Sequence, residues 1–284
     1  MTNFQRIIKY GAIAFAIYLA VTIISAIIFG FTLLFGITIG IDALNGYSKH
    51  SIVEYEENRY TNIDNIEIDL NVCRLQIKKS NEIRVETINV SNKFELKVDG
   101  KTLKIKDNNS GFSWFNNFSE TPEVIIYLPT EFEFNKIDMK LGVGESKIEY
   151  LKAKEISIDM GVGKNVIYEL IAKNAKIKGG MGETNIYLSQ IESLDLDSGL
   201  GALEITSKID KRADISSGVG RLELNLEGNI DDYNISANKG IGNFKVDNRS
   251  VFDGEVIGNG NSNIKVKAGI GETIVNFVTI NIEK

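Results

Sequence analysis

Residues 156–170 read ISIDMGVGKNVIYEL, and Gly161-Val162-Gly163 directly after a short apolar run is the spacing with which many phosphate-binding loops open. Such a loop places its glycine pair at the start of a helix, with backbone N–H groups turned to the phosphate and often a Lys or acidic residue at a set distance. Here a second strand-like run follows the pair and the residue between the glycines is apolar. Other raw material for chemistry is sparse. The one histidine, His50, lies in a polar stretch, so histidine triads and histidine-rich metal sites have almost no raw material. Cys73, the one cysteine, reads as a buried small hydrophobe, and no disulfide framework is available. Calcium-binding nonapeptide repeats also carry Gly-x-Gly, but with an aspartate two residues after the second glycine and a nine-residue period. The corresponding residues are Ser146, Asn165, Thr184, Leu203 and Leu222. No catalytic residue, cofactor, metal ion or nucleotide is therefore expected.

Gly-x-Gly recurs at Gly142 and Gly144, Gly161 and Gly163, Gly180 and Gly182, Gly199 and Gly201, and Gly218 and Gly220, a spacing of 19 held through every step. It returns with slippage at 240–242, 258–260 and 269–271. A phosphate loop occurs once per nucleotide, whereas a fixed period across a long segment signals stacked structural units. Aligned on the period, Met139, Ile158, Ile177, Leu196 and Ile215 form one apolar column, and Ile148, Ile167, Ile186, Ile205 and Leu224 a second. The residues between the glycines, Val143, Val162, Met181, Leu200 and Val219, form a third. All three columns are expected inside. Each unit then has an alternating strand, a glycine corner, a second strand and a polar return.

Either a β-solenoid or an antiparallel meander would give this pattern. Lys140, Asp159, Lys178 and Asp197 alternate in sign down one column, as do Glu145, Lys164 and Glu183 down another. Direct stacking of residue i on i+19 turns that alternation into attraction, which favours the solenoid. The expected fold is all-β: a β-solenoid of glycine-cornered coils over 131–284, six or seven coils and about 30 Å long.

An N-terminal β cap is expected over 66–130. Its first part, IEIDLNVCRLQI at 66–77, matches the spacing of 137–148 as a degenerate coil with Cys73 in the place of Gly144. Asp99-Gly100 between alternating runs signals a hairpin. Phe112, Trp114, Phe115 and Phe118 cluster in GFSWFNNF at 111–118; they read either as a hydrophobic plug over the core end or as a partner-binding loop.

Residues 42–65 read as a polar, acidic linker, preceded over 10–41 by 32 residues without a charge. About 20 apolar residues span a bilayer, so this segment reads as one transmembrane helix; a cleaved signal peptide would have a shorter apolar stretch and a small-x-small site. Arg6 and Lys9 precede it within 1–9 and Asp42 follows, which places the N-terminus in the cytoplasm and the C-terminal body outside the cell membrane. Ala12, Ala16 and Ala20 on one face, and Gly36 with Gly40, have the small-residue spacing that lets helices associate. The remaining body carries net −8, which argues against nucleic-acid binding.

EVIIYLPTEFEFNKIDMKLGVGE, IDMGVGKNVIYEL and LDSGLGALEI together resemble the bacterial putative-adhesin family of β-strand-repeat envelope proteins, over about residues 63–277. The resemblance implies a cell-surface role in adhesion or in responding to envelope stress, and brings no catalytic residues. The favoured function is a membrane-anchored, non-enzymatic module that binds an envelope protein, a wall polymer or a cationic peptide. A sensor acting through a membrane partner is the alternative, and a polysaccharide-active enzyme a third.

Overall fold

The structure, a computed structural model, describes residues 52–108 and 121–279. The apolar segment 10–41 with Ala12, Ala16, Ala20, Gly36 and Gly40, the residue His50, and the aromatics Phe112, Trp114, Phe115 and Phe118 lie outside these residues. Among the described residues no helix is long and apolar enough to cross a membrane.

In chain order the strands are β1 (Ile52–Tyr60), β2 (Asn65–Val72), β3 (Arg74–Ser80), β4 (Ile83–Ser91), β5 (Phe94–Asp99), β6 (Thr102–Asp107) and β7 (Glu123–Pro129). The 19-residue repeats form β8 (Phe134–Ile148), β9 (Leu151–Lys178), β10 (Met181–Asp197), β11 (Leu200–Ser216) and β12 (Val219–Glu227). After a 3-10 turn at Ile230–Asp232 come β13 (Tyr233–Asn238), β14 (Ile241–Val246), β15 (Arg249–Ser250), β16 (Glu255–Ile257), β17 (Ser262–Lys267) and β18 (Ile270–Val278).

The repeats pair parallel with residue i on i+19: Met139 on Ile158, Ile177 on Leu196 and Leu196 on Ile215. That is a β-solenoid-like stack; a meander would separate these strands by another. Alternation within each strand turns every second side chain inward, and the parallel register aligns those side chains between layers. One core column runs Ile126, Ile77, Ile148, Ile167, Ile186, Ile205, Leu224, Val275, Val246, and every member is at most 2% exposed. Nine layers at about 4.8 Å per step make a stack about 38 Å long, longer than the expected six or seven coils.

The extra layers come from both chain ends, and there the stacking order departs from chain order. β2 lies between β6 and β8, with Ile68 opposite both Ile105 and Met139. At the other end β17 lies between β11 and β13, and β18 between β12 and β14. The last strands of the chain therefore supply an inner layer. Of the slipped glycine pairs, Gly258 and Gly260 do not form a coil corner; Gly258 turns with φ 78° and Gly260 packs on the Asp232 and Tyr233 backbone.

Antiparallel strands close both ends: β5 covers β6, β4 covers β7 and β1 covers β4, while two-residue β15 and three-residue β16 cover β14 and β13. Residues 52–60, expected within a linker over 42–65, thus form an edge strand. An edge strand gains its backbone hydrogen bonds from one neighbour and needs no apolar alternation, so its charges hid it; they also discourage further edge pairing. Arg59 bridges Glu57 at 3.0 Å and Glu82 at 2.9 Å across this edge.

Candidate functional site

The corners produce the main surface feature. In the layer that holds Val162, the chain turns Ile156, Ile158 and Met160 inward and next turns Asn165 and Ile167 inward. The step from 160 to 165 is odd, so the corner reverses the alternation and its middle residue stands on the convex side. Val143, Val162, Met181, Leu200 and Val219, expected inside, are 43–50% exposed. Ile270 at 51% and Ile241 at 73% extend the series. The glycines enforce this geometry. A Cβ on Gly163, whose φ is +148°, would lie 1.7 Å from the Gly144 carbonyl oxygen, so only a residue without a side chain lets one corner seat on the next.

Two of the corners differ from the expected break between two strands. Gly142 and Gly144 lie inside β8, and Gly161 and Gly163 inside β9. Gly180, Gly199 and Gly218 immediately precede β10, β11 and β12, but Gly182, Gly201 and Gly220 lie within those three strands. The second glycines pair in register down the stack, Gly163 on Gly182, Gly182 on Gly201 and Gly201 on Gly220. With φ of +134°, +129° and +132°, Gly182, Gly201 and Gly220 turn the chain while it stays in the ladder, so the bend costs no strand pairing at these positions. At 142–144 and 161–163 the two segments expected on either side are one bent strand, whereas at the other three corners a two-residue break at 179–180, 198–199 and 217–218 separates them as expected.

Stacking joins the seven apex residues into a ladder: Val143 on Val162, Val162 on Met181, Met181 on Leu200, Leu200 on Val219, Val219 on Ile270, Ile270 on Ile241. Six steps of about 4.8 Å make it about 29 Å long. Glycine columns border it on both sides, so the aliphatic side chains rise from a floor of bare backbone. Half-buried Val72 stacks on Val143 and continues the line inward. In the layer beyond, the Asn71 amide donates to the Asp107 carbonyl at 2.8 Å and the Arg74 N–H to the Pro122 carbonyl at 2.8 Å. The ladder is thus a contiguous line of exposed apolar side chains.

The charged columns flank it. Lys140, Asp159, Lys178 and Asp197 lie exposed on one side, with Lys140 in register with Asp159 and Lys178 with Asp197, and Glu145, Lys164 and Glu183 lie in register on the other. Lys164 meets Glu183 at 3.2 Å and Arg74 meets Glu145 at 3.9 Å. Exposed pairs of this kind contribute roughly 0–1 kcal/mol each and are screened by salt.

The residues at the positions where calcium-binding repeats carry aspartate turn into the core. Ser146, Asn165 and Thr184 are buried; Ser146 Oγ donates to Asn165 Oδ1 at 2.8 Å and Thr184 Oγ1 to Met160 Sδ at 3.3 Å. Their column continues through Leu203 and Leu222, which shows a core position that tolerates paired hydroxyls and amides. Among the described residues no group of three or more His, Cys, Asp or Glu could hold a metal. Two lesser surface features occur. A shallow groove of about 220 Å³ is lined by Lys136, Glu155, Lys176, Asp195 and Arg212, charges of both signs. Tyr168 and Tyr187 stack with ring centroids 5.6 Å apart, and Lys147 lies 5.8 Å above Tyr168.

Cys73 takes the corner position of Gly144 in its layer and is buried beside a cavity of about 20 Å³, room for one water. Burial, reinforced by the Asp107 charge, pushes its thiol up to about 12. The unfolded thiol ionises first as pH rises, so the stability this group confers is whole below about pH 9 and declines between pH 9 and 12, by up to about 1.4 kcal/mol per unit. Urea unfolding from pH 8 to 10.5 should show that decline, and Cys73→Ala should flatten its onset; an unchanged slope would mean the thiol is solvated.

Of the residues singled out in the sequence, the second corner glycines pair in register from layer to layer, and the structure gathers the apex residues into one surface. That surface was visible as a periodic column; its orientation was not.

The chain is similar to several solved structures. A putative adhesin from Bacteroides fragilis shares 16% identity over 81% of this chain and 98% of its own, with a TM-score of 0.46. A putative cell adhesion protein from Clostridium sporogenes shares 17% over 80% and 100%, with a TM-score of 0.34. A putative lipid binding protein from Parabacteroides distasonis shares 18% over 79% and 96%, with a TM-score of 0.42. No curated protein matches. The Toastrack DUF4097 family matches residues 63–267, most of the stack, and the chain belongs to that family.

Proposed function

We propose that this protein is a non-enzymatic, adhesin-like binding module of the bacterial envelope, held at the cell membrane by residues 10–41 with its β-stack outside. The exposed apex ladder carries the reading: seven aliphatic side chains aligned over about 29 Å are kept in water on a rigid scaffold, at a cost that docking would remove. The uncharged run at 10–41 after Arg6 and Lys9 supports the anchor and its orientation. The charges beside the ladder run down sign-alternating columns, and those that meet in the groove at Lys136, Glu155, Lys176, Asp195 and Arg212 bring only two carboxylates together with three bases, which supports binding over catalysis.

Full-length protein in detergent, immobilised and exposed to envelope extract, tests the reading. The wild type is expected to retain a component that Met181→Glu/Leu200→Glu, with unchanged circular dichroism, does not. Equal retention by both, or turnover of wall polysaccharide, would sink it. Raising salt should weaken capture if the net −8 body recruits a cationic partner.

A further inference from the structure

The charges beside the ladder are ordered across it as well as along it. In five layers the surface residue three positions before the apex and the one two positions after have opposite signs, namely Asp69/Arg74, Lys140/Glu145, Asp159/Lys164, Lys178/Glu183 and Lys267/Glu272. Every other layer of the ladder carries a charge on one side at most: Asp197 faces Ala202, Ser216 faces Arg221 and Asn238 faces Asn243. Attraction within one stack explains the alternation down each column, because neighbours there pair. Alternation down both columns carries the opposition through the four consecutive layers from Asp69/Arg74 to Lys178/Glu183, but it sets neither the phase of one column against the other nor the opposition at the separate Lys267/Glu272 layer, since the two columns are separated by the apex and its flanking residues.

We propose that the ladder joins two copies of this chain pointing in the same direction, about a two-fold axis parallel to the stack. The inference rests on the reading of the ladder as a docking surface and names its occupant. Rotation about that axis places the column before the apex of one copy against the column after the apex of its partner, layer by layer. Asp69 then meets an arginine, Lys140 a glutamate, Asp159 a lysine, Lys178 a glutamate and Lys267 a glutamate, and no layer opposes like charges. Turning the partner end for end about Met181 instead sets Lys178 against itself, Glu183 against itself and Asp159 against Asp197. Like-charge juxtaposition of this kind selects against a wrong register.

The apolar part fits a second copy for two further reasons. A partner with the same layer spacing of about 4.8 Å matches the ladder over its whole length, so every apex residue finds an apex residue. The glycine columns on either side are bare of side chains, which leaves room for the partner's ridge to lie alongside. A two-fold interface must be self-complementary, and this face has that property in shape and in sign. Both copies of such a pair point the same way, which suits two chains displayed from one surface.

Disulfide trapping in the full-length protein tests the assignment. Val143→Cys, Met181→Cys and Val219→Cys are made singly, with Tyr187→Cys, exposed on another column, as the control; native Cys73 is buried and stays. Each ladder cysteine is expected to link to its own copy at least ten times faster than Tyr187→Cys under mild oxidation. Met181→Glu is expected to halve the sedimenting protein mass without changing the circular dichroism. Linking at the control rate, or a Val143→Cys chain that links only to a Val219→Cys chain, would overturn the parallel pair. If no position links while Met181→Glu/Leu200→Glu still loses its envelope component, the docking surface stands and its occupant is another molecule; if neither effect appears, both readings fall.

Discussion

Gly163→Ala should cost more than about 4 kcal/mol of folding stability and abolish a cooperative unfolding transition at 37 °C, given total stabilities of about 5–15 kcal/mol for single domains. Two effects combine. Gly163 has φ +148°, a conformation that L side chains rarely adopt, with a penalty of roughly 1–3 kcal/mol. Its new Cβ would also stand 1.7 Å from the Gly144 carbonyl oxygen, a backbone atom that cannot rotate aside. Relieving the overlap means separating two layers, and each ladder hydrogen bond lost costs about 1 kcal/mol. Gly100→Ala separates the two effects, because Gly100 has φ +58° at the β5–β6 turn and open space around its missing Cβ. That variant should lose only about 1 kcal/mol. Urea unfolding of both decides; a loss under about 2 kcal/mol at Gly163 would mean that the corners yield easily.

The same corners mark the limit of what could be read from sequence. The 19-residue period, the parallel register and the inward columns were legible because they are properties of identical neighbours: Ile148, Ile167, Ile186 and Ile205 can only stack, and Lys164 against Glu183 gains what a meander would forfeit. The apex was misread because apolar periodicity was equated with burial. Periodicity reports that a position is equivalent in every coil, and the direction of its side chain depends on how many residues the turn consumes. Met160 to Asn165 is five, so Val162 faces out. The glycines interrupt the strand as expected at 179–180, 198–199 and 217–218, but at Gly142, Gly144, Gly161 and Gly163 the strand runs straight through, because glycine tolerates an extended backbone of positive φ. Strand β1 was missed for a related reason: an edge partner for Ile83–Ser91 is held by its backbone, and backbone pairing leaves little mark on composition. The hairpin at Asp99-Gly100, in contrast, is a local event with a local signature, and it forms with Phe94–Asp99 on Thr102–Asp107.

Stack order was beyond the reach of period arguments, and it carries the second large effect. Ending the chain at Asn261 removes β17 and β18, which in chain order would be a terminal coil and in the structure is the layer between β11/β12 and β13/β14. The deletion takes away the buried Ile264, Val266 and Val275, worth roughly 1.5–3 kcal/mol each. It also uncovers Ile215 and Leu224 on one side and Ile235 and Phe244 on the other, all at most 1% exposed in the intact stack. Residues 233–257 would keep only their own short hairpins, and isolated hairpins are marginal in water. The truncated protein should therefore lose amide-exchange protection throughout 233–246, while Ile148 to Ile205 remain protected. A peptide spanning 262–279 added in trans should restore protection on both faces at once, since it pairs in parallel with β11 and β13 through β17 and with β12 and β14 through β18. Persistent protection of Ile235 and Phe244 in the truncated chain would show that the outer layer can close onto β11 and β12 directly, and that the inserted strands are a clasp on a stack already complete without them.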